Sequence, residues 1–574
     1  MVGSSAFGKG NLVARGTAES PIIFTSVKDP NSLLDPAKPG DWSRIHFTDY
    51  AVDAVFDPDG NYVSGCILEH VIVEYAGYGN YAAIFAEKSS PFLNYCEVRH
   101  NSYYGIQVDG TSAPRIKITN CEVWDHPQRG IVISGGTGGN GLLNNNIHDN
   151  RDGGIRFSSS GSNTLSGNTI TGNTTSGAGG GIEFASSGSN TISGNTITAN
   201  TASGSAGGIA FSSSGSNTLT GNTITDNRAS GDGGGIYFYS SGSNTLTGNT
   251  ITGNTTSSDG GGISFYYASG SNTISGNTIT DNRASGDGGG IWFYYSGSNT
   301  LTGNTISGNT ASGAVGGIYF YYYSGSNTLT GNTISGNTAS GAGGGIYFYY
   351  YSGSNTLTGN TISGNTASGA GGGILFSSSG SSTLTRNVVQ SNLSGNGLGV
   401  VHLDASGDTI FSQNTITDNY INAGTTGGIY VTGNSERISL AGNPDDDTYN
   451  IISWNDGYQV YNNNGFNADG RNDINAVYVQ WGTCDVEEIM AGIFDYFDDG
   501  SKAFVMFYPF VCPGDFDLDE DVDILDLATF VENWLRQDCT IPDWCEGADL
   551  DVSSNVDFYD FAEFANNWLV GVGP

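Results

Sequence analysis

Residues 234–260 read GGIYFYSSGSNTLTGNTITGNTTSSDG, and this stretch decides the fold of the 574-residue chain. The Ile of its GGI motif occurs nine times between Ile155 and Ile374, at steps of 27 or 28 residues. The Asn of its GNTI motif recurs in step from Asn168 to Asn414. A fixed period of this length indicates a solenoid, in which each repeat packs only on its neighbours.

Each repeat contains three short segments that alternate apolar and polar residues, separated by Gly, Ser and Asn. Alternation at period two indicates β-strands, and the separating residues are typical of turns. We therefore predict an all-β, parallel β-helix with about 27 residues per coil. Ile236, Phe238, Leu246 and Ile251 should point inward. The Asn series should form a buried ladder of amides, because buried polar groups need partners.

The region before the regular repeats follows the same plan with a more varied sequence. Val71, Cys96, Cys121 and Asn145 lead into the Asn series at steps of 25, 25, 24 and 23 residues. Cys96 and Cys121 are predicted to stack in the interior, where a disulfide is compatible with their spacing but not required.

Charge and hydropathy narrow the classes of function. The chain carries 55 acidic and 19 basic residues, a net charge of −36, which argues against binding nucleic acid or an anionic membrane. No apolar run is long enough to predict a membrane span. We expect a monomer. The N-terminus lacks the apolar segment of a secretory signal, whereas later features favour secretion, so we expect a secreted or cell-surface protein with a truncated start.

The chain resembles the right-handed parallel β-helix superfamily of pectate-lyase-like and NosD-like secreted proteins. The resemblance is carried by GNLVARGTAESPIIFTS (10–26), GDWSRIHF (40–47), LEHVIVEYAG (68–77), YNIISWNDGYQVYNNN (449–464), VYVQWGTCDVEEI (477–489) and FDYFDDGSKAFVMFYPF (494–510). We expect a β-helix over 1–440, with regular repeats at about 150–390, and a β-helix cap and linker over 441–511. This superfamily includes lyases, hydrolases, epimerases, adhesins and passive domains, so the resemblance does not decide the activity.

Two acidic segments near the C-terminus repeat at an offset of 34 residues. DFDLDEDVDILDLATFVENWL begins at Asp515, and DLDVSSNVDFYDFAEFANNWL begins at Asp549. Each starts as a twelve-residue loop with oxygen-bearing residues at positions 1, 3, 5, 7, 9 and 12, as calcium requires. The predicted calcium ligands are Asp515, Asp517, Asp519, Asp521, Asp523 and Asp526 in the first loop, and Asp549, Asp551, Ser553, Asn555, Asp557 and Asp560 in the second.

The two tandem loop–helix units resemble a dockerin over residues 512–574. This resemblance implies attachment to a cohesin-bearing scaffold protein, with Ile524, Leu525, Phe558 and Tyr559 at the partner-recognising positions. Glu520 stands where the family usually has Gly, and Ser553 and Ser554 replace Asp and Gly, which points to a weaker second site. Cys539 and Cys545 are predicted to form a disulfide, which fits an oxidising compartment, and Cys484 and Cys512 are a second candidate pair.

Ionisable residues that could carry catalysis gather in the early coils. Alignment on the inward valines stacks the residues that follow them, among which the candidate catalytic residues are His100, Asp125, His126, His148 and Asp149. Such a stripe could perform general acid–base chemistry, or it could be a solvated edge held by salt bridges. We favour the salt-bridge interpretation.

Aromatic residues recur at the outward positions of the GGI strand and should form an exposed ladder. They are Tyr237, Tyr239, Tyr266, Trp292, Tyr294, Tyr319, Tyr321, Tyr347 and Tyr349. Aromatic rings suit the apolar faces of sugars, although tyrosines also stack on each other simply as good strand formers. A flat array of Thr residues, such as Thr245 and Thr247, resembles β-helical ice-binding proteins and is a remote alternative.

Our leading hypothesis is an extracellular protein that binds a polysaccharide or cell-surface glycan, or serves as a surface scaffold, anchored by its calcium module. The first alternative is a polysaccharide lyase or glycoside hydrolase with its site in the early coils. The second is an adhesin whose repeats act as a spacer. The balance of the sequence favours a role without catalysis.

Overall fold

The structure, a computed structural model, describes residues 1–6, 8–28, 31, 35–110, 115–136, 138–267, 270–443, 448–467, 470–516, 522–537, 539, 545, 548–550, 553 and 555–569. The chain divides into two compact units, an N-terminal unit of residues 1–286 and a C-terminal unit of residues 287–574. Each unit is a solenoid of short parallel strands, and equivalent sheets carry the same number in both units.

Four parallel sheets form the N-terminal unit. Sheet 1 contains Ile45–Phe47, Ile84–Glu87, Ile106–Asp109, Ile131–Ser134, Ile155–Ser158, Ile182–Ala185, Ile209–Ser212, Ile236–Tyr239 and Ile263–Tyr266. Sheet 2 contains Val13–Arg15, Ile67–Glu69, Phe92–Asn94, Lys117–Thr119, Gly138–Leu143, Ser162–Ser166, Thr191–Ser193, Thr218–Thr220, Thr245–Thr247 and Asn272–Ser275. Sheet 3 contains Ile22–Phe24, Val71–Glu74, Glu97–Arg99, Glu122–Trp124, Asn146–His148, Thr169–Thr171, Thr196–Thr198, Thr223–Thr225, Thr250–Thr252 and Thr278–Thr280. Sheet 4 contains Thr174–Thr175, Thr201–Ala202, Arg228–Ala229, Thr255–Thr256 and Arg283–Ala284, and Val55–Phe56 pairs with Tyr62–Ser64 as a separate antiparallel hairpin.

The C-terminal unit repeats the same four sheets and adds helices. Sheet 1 contains Ile291–Tyr294, Ile318–Tyr321, Ile346–Tyr349, Ile374–Ser377, Val401–Asp404, Thr426–Thr432, Tyr458–Asn462 and Ile493–Phe494. Sheet 2 contains Asn299–Thr302, Asn327–Thr330, Asn355–Thr358, Ser382–Thr385, Thr409–Ser412, Ile438–Ser439, Ile474–Asn475 and Val505–Met506. Sheet 3 contains Thr305–Ser307, Thr333–Ser335, Thr361–Ser363, Val388–Gln390, Thr415–Thr417 and Ile451–Ser453, and sheet 4 contains Thr310–Ala311, Thr338–Ala339, Thr366–Ala367, Leu393–Ser394 and Tyr420–Ile421. The helices of this unit are α1 (Val486–Ala491), α2 (Ile524–Asn533) and α3 (Phe558–Asn566).

The register of the strands confirms the predicted coil. Ile182 pairs with Ile209 in sheet 1, one 27-residue repeat further along the chain. The predicted inward residues Ile236, Phe238, Leu246 and Ile251 all have no exposed surface. The inward phenylalanines form parallel stacks, with ring centroids 4.8 Å apart between Phe320 and Phe348. Burial of each such ring contributes about 2–3 kcal/mol, so the interior stabilises every coil in the same way.

Three ladders of buried amides run through the coils, where the sequence predicted one. In the predicted ladder, Asn195 donates from Nδ2 to Asn222 Oδ1 at 3.0 Å, and that same Oδ1 accepts the Asn195 backbone N–H. A second ladder includes Asn173 and Asn200, and a third includes Asn190 and Asn217. Because each amide both donates and accepts a hydrogen bond within the ladder, these polar side chains are buried with their hydrogen-bonding groups satisfied.

The structure extends the sequence predictions at several other points. Sheet 4 adds a fourth short strand to the three predicted for each regular repeat. The segment 441–511, predicted as cap and linker, contributes strands that pair onto sheets 1, 2 and 3. Both proposed disulfides, Cys484–Cys512 and Cys539–Cys545, are formed, while Cys66, Cys96 and Cys121 are buried thiols.

Candidate functional surfaces

The early coils bring the predicted charged residues together on the outside of sheet 3. Glu74, Arg99, Trp124 and His148 lie in register on successive strands. His100, Asp125 and Asp149 follow these strands at the turn, all with positive φ angles. We call these seven residues the charged stripe, and its stacking is as the sequence predicted.

Ion pairs occupy most of the charged stripe. Arg99 Nε lies 3.0 Å from Glu74 Oε2, and His100 Nδ1 lies 2.7 Å from Asp125 Oδ2. His148 has Asp149 Oδ2 2.8 Å from its Nδ1 and Glu122 Oε1 3.1 Å from its Nε2. Carboxylates therefore lie within hydrogen-bond distance of both nitrogens of His148, which leaves neither nitrogen open to a substrate. His100 uses only Nδ1 in its pair, so the His100–Asp125 pair is the part of the stripe suited to general base chemistry.

His126 does not belong to this exposed edge, and that prediction is wrong. Its side chain has no exposed surface and points into the core. Nδ1 lies 2.8 Å from Asn150 Oδ1, and Asn101 Nδ2 lies 3.1 Å from Nε2, so His126 occupies a rung of the second amide ladder. Burial lowers the pKa of His126 from 6.5 to about 4, which keeps the ring neutral.

The predicted aromatic ladder forms on the outside of sheet 1, but its members differ in exposure. Tyr239 is 39% exposed, whereas Tyr237, Tyr266, Tyr294, Tyr321, Tyr347 and Tyr349 are half-buried. The prediction of an exposed surface is wrong for Trp292 and Tyr319, which are only 5% and 4% exposed. Burial raises the pKa of Tyr319 far above its usual range, so this phenol stays protonated.

The tyrosines of the C-terminal unit stack in parallel columns that climb from coil to coil. Ring centroids are 5.5 Å apart between Tyr294 and Tyr321, and 5.4 Å between Tyr321 and Tyr349. The Tyr319 and Tyr347 rings lie 5.0 Å apart. Stacking covers the faces of rings inside a column, so these rings present their edges to the surroundings.

Sequence reasoning missed a second group of tyrosines, which lie at the turn after the sheet 1 strand. They are Tyr267, Tyr295, Tyr322, Tyr323, Tyr350 and Tyr351, and together with the predicted ladder we call them the tyrosine columns. Tyr322 stacks on Tyr350 at 4.9 Å, and Tyr323 stacks on Tyr351 at 5.1 Å. The runs of three tyrosines in the sequence could have indicated this group. The period-two pattern ends with the strand, however, and does not predict which way the side chains of the following turn point.

These turn tyrosines adopt a backbone conformation that bulky residues rarely take. Tyr322, Tyr323, Tyr350 and Tyr351 have φ angles of 54°, 53°, 50° and 57°. Left-handed backbone at such residues costs of order 1 kcal/mol or more each. Within the N-terminal unit this turn position holds Ser213 in one coil and Tyr267 two coils later, with φ angles of 51° and 50°, so the fold does not need tyrosine there.

Helices α2 and α3 begin alike, as their repeated sequences predict. Asp523 caps α2 and Asp557 caps α3, and in each helix the carboxylate three residues later accepts the backbone N–H of the cap. Those carboxylates, Asp526 and Asp560, are 1% and 0% exposed. Asp515 and Asp549, at the first position of each loop, are also buried.

The oxygen donors of the described loop residues are of the type that calcium prefers. Four predicted ligands, Asp517, Asp519, Asp521 and Asp551, lie outside the described residues, as do the departures Glu520 and Ser554. Among the residues that are described, no group of three or more His, Cys, Asp or Glu side chains is placed to hold a metal ion. The described donors are therefore of the chemical type that calcium prefers, but they are not placed to hold a metal ion by themselves.

The proposed partner-binding residues lie at the starts of the two helices and are exposed. Ile524 is 64% exposed and Phe558 is 76% exposed, with Leu525 and Tyr559 beside them similarly open. Beneath them, Val522, Phe530, Val556 and Phe564 form a small buried core.

The predicted Thr array points outward from sheet 2, where exposed Thr245 and Thr247 flank buried Leu246.

A family comparison agrees with this architecture. The family described as "Right handed beta helix region" matches residues 54–224, 170–334 and 305–445, which together cover more than half of the 574 residues. No curated protein and no solved structure matched the chain. In the part of the chain that the structure describes, no helix is long and apolar enough to cross a membrane. The family match and the stacked parallel coils together place this chain in the right-handed β-helix family.

Proposed function

We propose that the chain is an extracellular, carbohydrate-directed binding or scaffold protein that meets glycans through its tyrosine columns. The observation that carries the proposal is the placement of consecutive tyrosines, Tyr322–Tyr323 and Tyr350–Tyr351, at positive φ. The fold accepts serine at the position of Tyr350, because Ser378 aligns with it one coil later at a φ angle of 50°. A bulky residue at a strained position that a smaller residue can fill points to function more than to folding.

The chemistry of the columns suits a sugar polymer. Tyrosine presents a rigid, amphipathic surface whose hydroxyl can bond sugar hydroxyls. Tyr323 and Tyr351 are 48% and 55% exposed, the most open members of the columns. Because the columns repeat with the coil, they offer the same contact several times, which strengthens the binding of a ligand that is itself a repeat.

The C-terminal helices supply the proposed anchor. Calcium would be held by the oxygens of the two repeated loops, and its positive charge would compensate the buried carboxylates Asp515, Asp526, Asp549 and Asp560. The exposed apolar residues Ile524, Leu525, Phe558 and Tyr559 would then meet a cohesin-bearing scaffold protein. Isothermal titration of the intact chain with CaCl₂ should show binding that replacement of Asp526 and Asp560 by Ala removes.

Affinity electrophoresis tests the glycan proposal. The intact chain is run through gels that contain plant, algal or bacterial polysaccharides, and retardation in at least one gel is expected. Replacement of Tyr323 and Tyr351 by Ala should reduce that retardation, whereas Trp124→Ala in the charged stripe should not. Equal mobility in every gel, with and without polysaccharide, would contradict the proposal.

One observation favours a second candidate function, a polysaccharide lyase or hydrolase. The 2.7 Å contact of His100 Nδ1 with Asp125 Oδ2 orients the imidazole as a general base would be oriented. The assay is release of reducing ends or unsaturated products from the same polysaccharides. Product that disappears in the variant His100→Ala would establish this candidate in place of passive binding.

A further inference from the structure

The tyrosine columns stop abruptly in the C-terminal unit. Tyr349 pairs in register with Ser377, and Ser377 pairs with Asp404. The residues after them therefore align as well, so that Ser378 and then Ala405 occupy the coil positions of Tyr350. Because side-chain volume falls from tyrosine to serine and alanine at this point, a recess opens beside the last tyrosines.

The recess has a volume of about 500 Å³, which lies within the range of small-molecule sites. Tyr350 and Tyr351 form one wall, and Asn434 and Glu436 line it as well. Its remaining lining comes from Gly353, Ser378, Ser379, Gly380, Ala405, Ser406 and Gly407.

The end of the columns is where a tyrosine face becomes available. One face of Tyr350 is covered by Tyr322, and one face of Tyr351 is covered by Tyr323. Tyr350 and Tyr351 also meet each other edge to face, with centroids 4.6 Å apart. The next coil offers Ser378 and Ser379 in place of further rings, so among the described residues no ring of that coil stacks on them. A flat, apolar ring face beside an open volume is the surface on which the C–H face of a sugar packs.

Polar groups complete the recess. Ser406 is 2% exposed, and its Oγ has no hydrogen-bond partner among the described residues. A buried hydroxyl of this kind costs free energy until a partner binds it. Glu436 adds a carboxylate acceptor, and the described residues that line the recess include no Lys or Arg. A ligand with several hydroxyl donors and no negative charge satisfies these groups.

We propose that this recess is the primary saccharide subsite of the protein and takes a terminal or short segment of a neutral glycan. The sugar would stack on the open side of Tyr351 or Tyr350 and donate a hydroxyl hydrogen to Glu436. Ser406 Oγ, which is buried in this structure, would have to turn toward the recess to accept another. This inference rests on the proposed glycan-binding function and narrows it from the length of the columns to their end.

The decisive variant continues the column instead of shortening it. Ser378 has a φ angle of 50°, equal to that of Tyr350, so Ser378→Tyr can extend the stack and fill the recess. Ser213→Tyr is the matched control, because Ser213 is a turn serine with a φ angle of 51° that is not among the residues lining the recess. The probes are xyloglucan, galactomannan and mixed-linkage β-glucan, with polygalacturonate as the acidic comparator, and circular dichroism checks that both variants fold.

Steric exclusion from the recess should weaken binding of the retained neutral polymer by about tenfold or more in Ser378→Tyr, and Ser213→Tyr should bind as the parent chain does. If Ser378→Tyr does not fold, Glu436→Gln replaces it and should weaken binding in the same direction. Unchanged or tighter binding by Ser378→Tyr, with loss in the Tyr323→Ala variant, would overturn the recess while leaving the columns as the binding surface. A parent chain that binds none of the neutral probes would overturn both proposals. A preference for polygalacturonate over the neutral probes would overturn the proposal of a neutral subsite.

Discussion

The charged stripe of the early coils and the tyrosine columns of the C-terminal unit are built over the same kind of interior. Val98 and Val123 lie under the stripe, Phe320 and Phe348 lie under the columns, and all four are fully buried. Outside, one region carries ion pairs and the other carries stacked phenols. The comparison shows that the inward residues set the coil, while the outward residues are free to differ, and we therefore place the proposed function on the outside.

The two outer surfaces also differ in how far their side chains are satisfied by neighbouring residues. In the charged stripe, His148 meets two carboxylates and Arg99 meets Glu74 and Glu97, so the partners satisfy one another. In the columns, strained tyrosines remain open at Tyr323 and Tyr351. A surface that satisfies itself is expected of a structural role, and the strained, open tyrosines are the reason why we propose ligand binding at the columns.

We expect the largest effect from a substitution in the interior, which is of the same kind in both regions. Phe320→Ala removes a buried ring that lies 4.9 Å from Phe293 and 4.8 Å from Phe348. We expect a loss of about 3–5 kcal/mol in the free energy of unfolding, measured by denaturant titration. Tyr321→Ala, on the outside of the same strand, should cost about 1 kcal/mol or less. Similar losses for the two variants would contradict the division between interior and exterior.

The next effect concerns His126, which the sequence placed in the stripe and the structure places in the core. The unfolded chain protonates this imidazole below pH 6.5, whereas the folded chain does so only at about pH 4. Its contribution to stability is therefore present above pH 6.5 and is lost as the pH falls toward 4, by about 3 kcal/mol in total. His126→Asn restores the residue type used elsewhere in the ladder and should flatten that part of the stability–pH curve, as measured by thermal unfolding across this range. Identical curves for parent and variant would place His126 outside the core.

A smaller effect separates the two surfaces by affinity. Replacement of both Tyr323 and Tyr351 by Ala should weaken binding of a retained polysaccharide by about tenfold, or about 1.4 kcal/mol, in isothermal titration. Trp124→Ala removes an aromatic ring from the charged stripe and serves as the control with unchanged affinity. The reverse pattern would assign glycan binding to the early coils.

The smallest effect is expected within the charged stripe itself. Asp125→Asn weakens the contacts of Asp125 with His100 and Arg151, but both sides of the His100 pair are partly exposed. Exposed pairs of this kind contribute about 0–1 kcal/mol, so the unfolding free energy should hardly change. Polysaccharide binding should also remain. A loss of enzymatic product in this variant would show that the stripe is a catalytic site.

Most of the fold could be predicted from the sequence because its signals are periodic. The coil length, the inward Ile and Phe and the Asn ladder all follow from residues that repeat in step, as at Ile182 and Ile209. The second and third Asn ladders were not predicted because Asn200 and Asn217 lie next to turns. In turns, Asn is common for another reason, since its side chain bonds the local backbone.

The surfaces were harder to predict because exposure depends on neighbouring coils. Trp292 and Tyr319 point outward by alternation, yet neighbouring side chains bury them. His126 differs from the partly exposed His100 in the direction of its side chain. The recess is harder still, since it arises from the absence of rings at Ser378 and Ala405 rather than from a motif. Calcium binding, the cohesin-like partner and secretion remain predictions from the repeated loops and the resemblances.

The most direct test of the account measures binding and reaction in one tube. The intact chain is incubated with the polysaccharide that retards it most, and the bound fraction is measured together with new reducing ends and unsaturated products. The account predicts saturable binding that depends on Tyr351 and no product over the incubation. Product that accumulates with time, survives Tyr351→Ala and disappears in His100→Ala would contradict it and identify the early coils as an active site.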